Sequence, residues 1–282
     1  MGDSFVSAKP FISVIITAFN RKEFLEDAID SVISQTLDKD QFEIKVITNF
    51  DNTELENKEK FHGITFLRID EQGIGKMILK AVNISRGEII SFLDDDDLFF
   101  HDKLQVVYNL FKTHKDIVYF RHNFKEFFND SNFVESDFFH QNTLNIQIYK
   151  MKVKSKSDIA KAVRLGAPLN MSTISISKNI LINYSNAWCM LTTAPDFMAF
   201  FSAVCDEGKY LSISEEVLSF YRIHNSMTRS LLNKYSDYQK HLERHTRSTI
   251  DAFKLFRNIF LKKNNCMIIL TCLLQHGKYN CP

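Results

Sequence analysis

The chain has 282 residues, of which 45% are hydrophobic and 24% charged, and its formal net charge is +1. That suits one large α/β domain with an appendage or two small domains, and it excludes a nucleic-acid binder that works through a strong basic field. Five cysteines with no C-x-x-C spacing exclude a disulfide framework or structural zinc site, and no apolar run reaches the roughly 18 residues of a membrane-spanning helix.

Residues 11–17 (FISVIIT) form a continuous apolar, β-branched run, the pattern of a buried parallel strand. Asn20 then stands where it could cap a helix, and Phe24, Leu25, Ala28, Ile29, Val32 and Ile33 recur at helical spacing. Residues 42–47 and 64–69 read as strands, 75–85 as a helix interrupted by Gly and β-branched residues, and 88–93 as a strand that ends on Asp94, Asp95, Asp96 and Asp97. Leu104, Val107, Leu110 and Phe111 give the next segment a helical apolar face. Strand–helix alternation of this kind predicts a mainly parallel, Rossmann-like sheet flanked by helices.

The second half is less regular. Residues 120–150, rich in Phe and Asn, read as strands and loops, and 156–163 as a helix. Pro195–Asp206 opens with Pro-Asp, a good first helical turn. Residues 210–213 and 217–221 read as two short strands, and the chain from about 233 as helical, with the apolar run 266–274 as a buried terminal helix. Met1–Pro10 lacks the apolar stretch of a signal peptide. A cytoplasmic location, in solution or peripheral to the cytoplasmic face of the membrane, is the expectation.

In open parallel sheets ligands bind outside the carboxyl ends of the strands, and Asn20, residues 48–51 and Asp94–Asp97 all fall at such ends. Adjacent carboxylates repel one another; a divalent ion that also binds a diphosphate relieves that repulsion. Mg²⁺ or Mn²⁺ suits such oxygen ligands. A solvated acidic loop is the bland alternative, and the strand-end position argues against it.

At this point the sequence resembles a known family. Residues 10–20 (PFISVIITAFN), 31–35 (SVISQ), 42–46 and 86–97 (RGEIISFLDDDD) look like the donor half of family 2 glycosyltransferases, and the aspartates match that family's D-x-D motif. The likeness continues through Pro195–Asp196, Glu216–Leu218 and residues 221–224 (YRIH). It implies an A-type glycosyltransferase fold and an inverting, metal-dependent transfer from a nucleoside-diphosphate sugar, UDP favoured, to a glycan or lipid-linked acceptor. It divides the chain into a catalytic domain, residues 1–225, with a nucleotide-binding half (about 10–100) and an acceptor half (101–225), and a helical extension, 226–282.

Position by position, the resemblance implies that Thr17, Ala18, Phe19 and Asn20 line the donor pocket and that Asp94 or Asp95 meets the ribose. Asp96 and His224 would hold Mn²⁺ or Mg²⁺, Arg222 would stand near the diphosphate, and Asp196 would be the general base. Where the family has paired acids after its second strand, this chain has Thr48 and Asn49, with Asp51 two residues later. An amide donates as well as accepts, so the choice of base stays open. Lys76, in GIGKM, is a further candidate for the diphosphate; the segment is not a Walker loop. Two competing readings are another metal-dependent phosphate enzyme, such as a nucleotidyltransferase or phosphohydrolase, and a non-catalytic nucleotide- or glycan-binding module of the same fold.

Overall fold

The computed structural model describes residues 9–224 apart from 59–60, 62, 71–72, 129–146 and 207. The apolar runs of the first half form a parallel block of β1 (Ile12–Ala18), β2 (Phe42–Thr48), β3 (Thr65–Arg68) and β4 (Ile89–Asp94), in the order β3-β2-β1-β4. α1 (Leu25–Ile33), the short α2 (Thr53–Glu56) and α3 (Ile74–Ile84) lie in the connections between them. Helices on both faces explain why β1 is buried on both sides and mostly apolar rather than alternating. In register, Thr17 lies between Ile47 and Asp94, so the ends of β1, β2 and β4 share one edge.

After β4 come β5 (Leu98–Phe99), α4 (Lys103–Thr113), β6 (Ile117–Phe128), β7 (Tyr149–Met151) and α5 (Lys156–Arg164). A 3₁₀ turn (Met171–Thr173) leads into β8 (Ile174–Ser177), then α6 (Lys178–Asn183), α7 (Ser185–Cys189), α8 (Pro195–Val204) and β9 (Tyr210–Ile223). The result is a single nine-stranded sheet, β3-β2-β1-β4-β8-β6-β9-β5, with β7 on β9. The sheet is parallel in its first half and mixed beyond. β8 runs antiparallel to β4 and β6, which returns β6 and its parallel neighbour β9 to the direction of β4. The carboxyl end of β9 therefore reaches the same edge as the aspartates.

Two expectations are corrected. Asn20 does not cap a helix: it sits at φ +58°, and the residue that caps α1 is Phe24, which contributes no side-chain bond. The two short strands at 210–213 and 217–221 are one strand, β9, whose register against β6 slips between Arg121 and Asn123, a bulge that the sequence split in two. β5, β8, α6 and α7 are too short to show a periodicity. The helical extension at 226–282, with its run 266–274, lies outside the described residues. Among the described residues no helix is long and apolar enough to cross a membrane.

Two apolar cores cover the two faces of the sheet. On one of them α3 meets α7 so closely that a Cβ on Gly75 would lie 1.9 Å from the Trp188 carbonyl oxygen. Trp188, fully buried, donates from Nε1 to Ser202 Oγ at 3.2 Å and so links α7 to α8. That packing fixes α8, whose first turn carries Asp196. At the opposite end of the block, Ser13 Oγ donates to Glu43 Oε1 at 2.6 Å and accepts the Gly87 N–H at 2.9 Å. Burial alone would raise the Glu43 carboxyl, but hydrogen bonds from Ser13, the Arg86 N–H and Lys45 bring it down to about 2.

Candidate active site

The aspartates form a turn between β4 and β5, and each has a different environment. Asp94 closes β4 beside Thr17, and its N–H donates to Ser172 Oγ at 3.0 Å. Asp95 receives both arms of Arg21, Nε and Nη2, at 2.8 Å each. Asp96 Oδ2 lies 2.6 Å from Arg21 Nη2 and 3.0 Å from His224 Nε2. Asp97 is buried; its Oδ1 accepts the Arg222 N–H at 3.1 Å, and the side chains of Ser172 and Asn170 also serve the carboxylate.

Burial raises all three of Asp94, Asp95 and Asp97, and like charges add to it. Asp94 is pushed well above the carboxylate range by burial and then by Asp97, Asp96, Asp95 and Asp196. Asp97 is pushed up to about 7 by burial and the charge of Asp96. For Arg21 burial works the other way, but its bonds to Asp95 and the charges of Asp96 and Asp95 outweigh it and hold the guanidinium's affinity for its proton above the usual value. A fully buried Lys103 stands on the floor, donating to the Ser172 carbonyl at 2.8 Å and lying 3.3 Å from the Phe99 ring centre. Arg21 is thus the cation paired with Asp95 and Asp96, while Arg222 braces the turn through its backbone N–H to Asp97 and its Nε to the Asp96 carbonyl.

The chain ends of β1, β2 and β9 supply the rest. Ala18 is buried at the end of β1, and Phe19, next to it, is 53% exposed, so its ring is not core. Asn20 and Asn49 bond to one another across the ends of β1 and β2. Thr48 is buried and inward-bound: its hydroxyl donates to the Phe50 carbonyl and accepts from Asn52 Nδ2, so it shapes the loop rather than facing a ligand. Asp51 Oδ1 accepts from the N–H and hydroxyl of Thr53, the start of α2. Lys76 is exposed at the first turn of α3 and has no polar contact among the described residues.

Arg222 is buried between the rings of Phe24 and Phe127, at 4.5 and 4.7 Å, and donates to the Asp96 carbonyl and to Asp27. It braces the aspartate turn. His224 packs on Phe24 at 4.8 Å and presents Nε2 to Asp96. Asp196 is the second residue of α8, where its Oδ1 accepts the Phe197 N–H at 2.9 Å. Its charge is felt at Asp94, which places the two halves of the site within electrostatic reach.

The residues fit a divalent cation in part. Asp96 Oδ2 and His224 Nε2, a hard oxygen and an imidazole nitrogen 3.0 Å apart, are a donor pair for Mn²⁺ or Mg²⁺. Among the described residues no group of three such side chains converges, so a diphosphate and water would have to complete the shell. Arg21, which contacts both donors, would have to swing aside. Arg21 is the residue that pattern reading missed. Its signal was a basic residue just past the first strand, facing an acidic cluster at the end of another.

The family model of glycosyl transferase family 2 matches residues 13–164, more than half of the 282-residue chain. Similar curated proteins include an uncharacterized glycosyltransferase of Methanocaldococcus jannaschii, 33% identical over 116 residues, 39% of this chain and 40% of that protein. Another is a poly(ribitol-phosphate) beta-glucosyltransferase of Bacillus spizizenii, 26% identical over 111 residues, 37% of this chain and 18% of that one. The matches thus span less than half the length of these relatives. Among solved structures, S. aureus TarS 1–349 in complex with UDP-GlcNAc superposes with a TM-score of 0.62 at 16% identity, covering 96% of this chain and 73% of that one. At that identity the likeness concerns the fold.

Proposed function

We propose, from the premise that this chain belongs to glycosyl transferase family 2, that it moves a sugar from a nucleoside-diphosphate sugar to a hydroxyl of a glycan or lipid-linked acceptor. The supporting observation is one shared edge. The ends of β1 and β2, the Asp94–Asp97 turn, His224 and the first turn of α8 with Asp196 all meet there. A nucleotidyltransferase would need the aspartates but has no use for Asp196 opposite them.

In this reading the exposed Phe19 ring and the Asn20–Asn49 pair receive the nucleoside, UDP by preference. That preference leans on TarS having been solved with UDP-GlcNAc. Asp94 or Asp95 meets the ribose. Asp96 and His224 hold Mn²⁺ or Mg²⁺, whose chemistry is to neutralise the charge that grows on the departing diphosphate. Arg222 keeps the turn in shape. Asp196 takes the proton of the acceptor hydroxyl as it attacks the anomeric carbon from the face opposite the diphosphate, so a single displacement inverts that centre. Its place in the first turn of α8 favours the ionised carboxylate.

Arg21 favours a second reading, in which a guanidinium rather than a metal neutralises the diphosphate, since it already bridges Asp95 and Asp96. Transfer that persists in EDTA and is lost in Arg21→Ala would select it. The main reading is tested by incubating the protein with UDP-sugars and a mixed glycan acceptor, then following product by NMR. Release of UDP together with an inverted anomeric centre supports it. A retained centre, or cleavage that leaves a sugar 1-phosphate, contradicts it.

A further inference from the structure

Among the described residues, Arg121 is a buried cation without a counter-ion. It lies on β6 directly before the bulge against β9 and is only 5% exposed. It forms no hydrogen bond or ion pair among the described residues, and its Nε is sealed from solvent with no partner. Every other buried arginine or lysine discussed above has a carboxylate or carbonyl. Burying a lone guanidinium is costly, so a fold keeps one only where something offsets the cost.

Unlike Nε, the two Nη nitrogens are not sealed from solvent and bond to no described residue. The guanidinium lies against Gly166, where a Cβ would come within 3.1 Å of Nη2 and 3.2 Å of Cζ and where φ is +73°. Glycine there lets the loop backbone lie directly against one face of the planar group. The same loop ends at Asn170, whose side chain serves Asp97 and the Ser172 N–H and so ties the loop to the aspartate turn. Tyr119, two residues earlier on the same face of β6, donates to the Ala167 carbonyl in that loop, and it lies within electrostatic reach of both Arg121 and Asp196. Arg121 therefore sits on the Asp196 side of the cleft, across β8 from the aspartate strand β4.

We propose that Arg121 forms an anion subsite that receives a phosphate or carboxylate carried by the acceptor. Resting on the reading of Asp196 as the acceptor's base, this makes the acceptor an anionic glycan or polyol phosphate rather than a neutral sugar. A guanidinium offers a planar fork that matches either oxyanion with two parallel hydrogen bonds, and in a dry site such bonds discriminate strongly against neutral analogues.

The test compares glycerol 3-phosphate with glycerol by ligand-observed NMR, with UDP and Mn²⁺ present, in the wild type, Arg121→Lys and Arg121→Met. The wild type should bind only the phosphate. Arg121→Met should lose at least tenfold in that affinity and Arg121→Lys less, with UDP affinity unchanged. Arg121→Met should also melt at the same temperature as the wild type or higher in anion-free buffer, because it removes an unpaired buried charge. Equal binding of glycerol and its phosphate, full phosphate binding by Arg121→Met, or a lower melting temperature for that variant would overturn the proposal. A third arm compares UDP-glucuronate with UDP-glucose; a loss confined to the glucuronate would move the anion to the donor sugar and overturn the acceptor assignment. Failure of UDP to bind the wild type would count against the donor reading alone, since the glycerol 3-phosphate comparison is repeated without nucleotide.

Discussion

Asn20 and Asn49 hold each other: Asn49 Nδ2 donates to Asn20 Oδ1 at 2.7 Å, and the Asn20 backbone N–H donates to Asn49 Oδ1 at 2.8 Å. The pair spans the carboxyl ends of β1 and β2, where a nucleoside would lie. It also holds Asn20 in the left-handed region at φ +58°, which few residues besides Asn and Gly tolerate. The amide of Asn49 keeps one N–H and one lone pair for a pyrimidine edge. Asn49→Ala should therefore weaken UDP binding by about 3–10-fold, the worth of roughly one hydrogen bond. Calorimetric titration with UDP measures it, and an unchanged dissociation constant would remove Asn49 from the donor site.

Asp196→Asn keeps the shape of the first turn of α8, including an oxygen able to accept the Phe197 N–H, and removes the base. The turnover rate should fall by about 10²–10⁴, the usual contribution of general-base catalysis, with nucleotide affinity within twofold of the wild type. Parallel kinetic and binding assays separate the two quantities.

Gly75→Ala has a purely structural consequence. Its Cβ would meet the Trp188 carbonyl oxygen at 1.9 Å and Leu191 Cβ at 2.8 Å, so α3 and α7 must part. Overpacking of this kind costs about 1–3 kcal/mol or more. The urea midpoint should drop accordingly, and transfer should weaken too, because Trp188 positions α8.

Glu43 gives the fold a pH dependence far from the site. Its carboxyl titrates at about 2 in the folded chain, below the ordinary 4.5. A depressed carboxyl contributes stability that is fully present above pH 4.5 and is lost as pH falls toward 2. Glu43→Gln should cost about 1–3 kcal/mol at pH 7, where hydrogen bonds to a charged group are broken. The gap between variant and wild type should close as the pH is lowered from 4.5 to 2. A gap that stays constant over that range would show that ionisation of Glu43 does not matter.

The first half of the fold could be read from its residues because the physical signals there are local. FISVIIT is apolar on both faces, as a strand buried on both sides requires, and the aspartates directly follow another such run. The second half depends on tertiary contacts that leave no periodicity. The bulge that splits β9 opposite Arg121 breaks its two-residue alternation, and β8 is four residues long. The site shows the same divide. Asp96, His224 and Asp196 stand in motifs that sequence alone displays. Arg21 and Arg121 gain their meaning only from neighbours 74 residues away in Asp95 and 45 in Gly166. Thr48, which the motif position placed at the base pocket, turned out to be buried and committed to Phe50 and Asn52.

The central claim is that the Asp96–His224 pair holds a nucleoside diphosphate through a divalent ion. The most direct measurement is calorimetric titration of UDP into the wild type and Asp96→Ala, each in Mn²⁺ and in EDTA. The account predicts that Mn²⁺ tightens UDP binding to the wild type at least tenfold, about 1.4 kcal/mol, and that Asp96→Ala binds UDP equally weakly with or without the ion. Wild-type affinity that is the same in Mn²⁺ and in EDTA would contradict it.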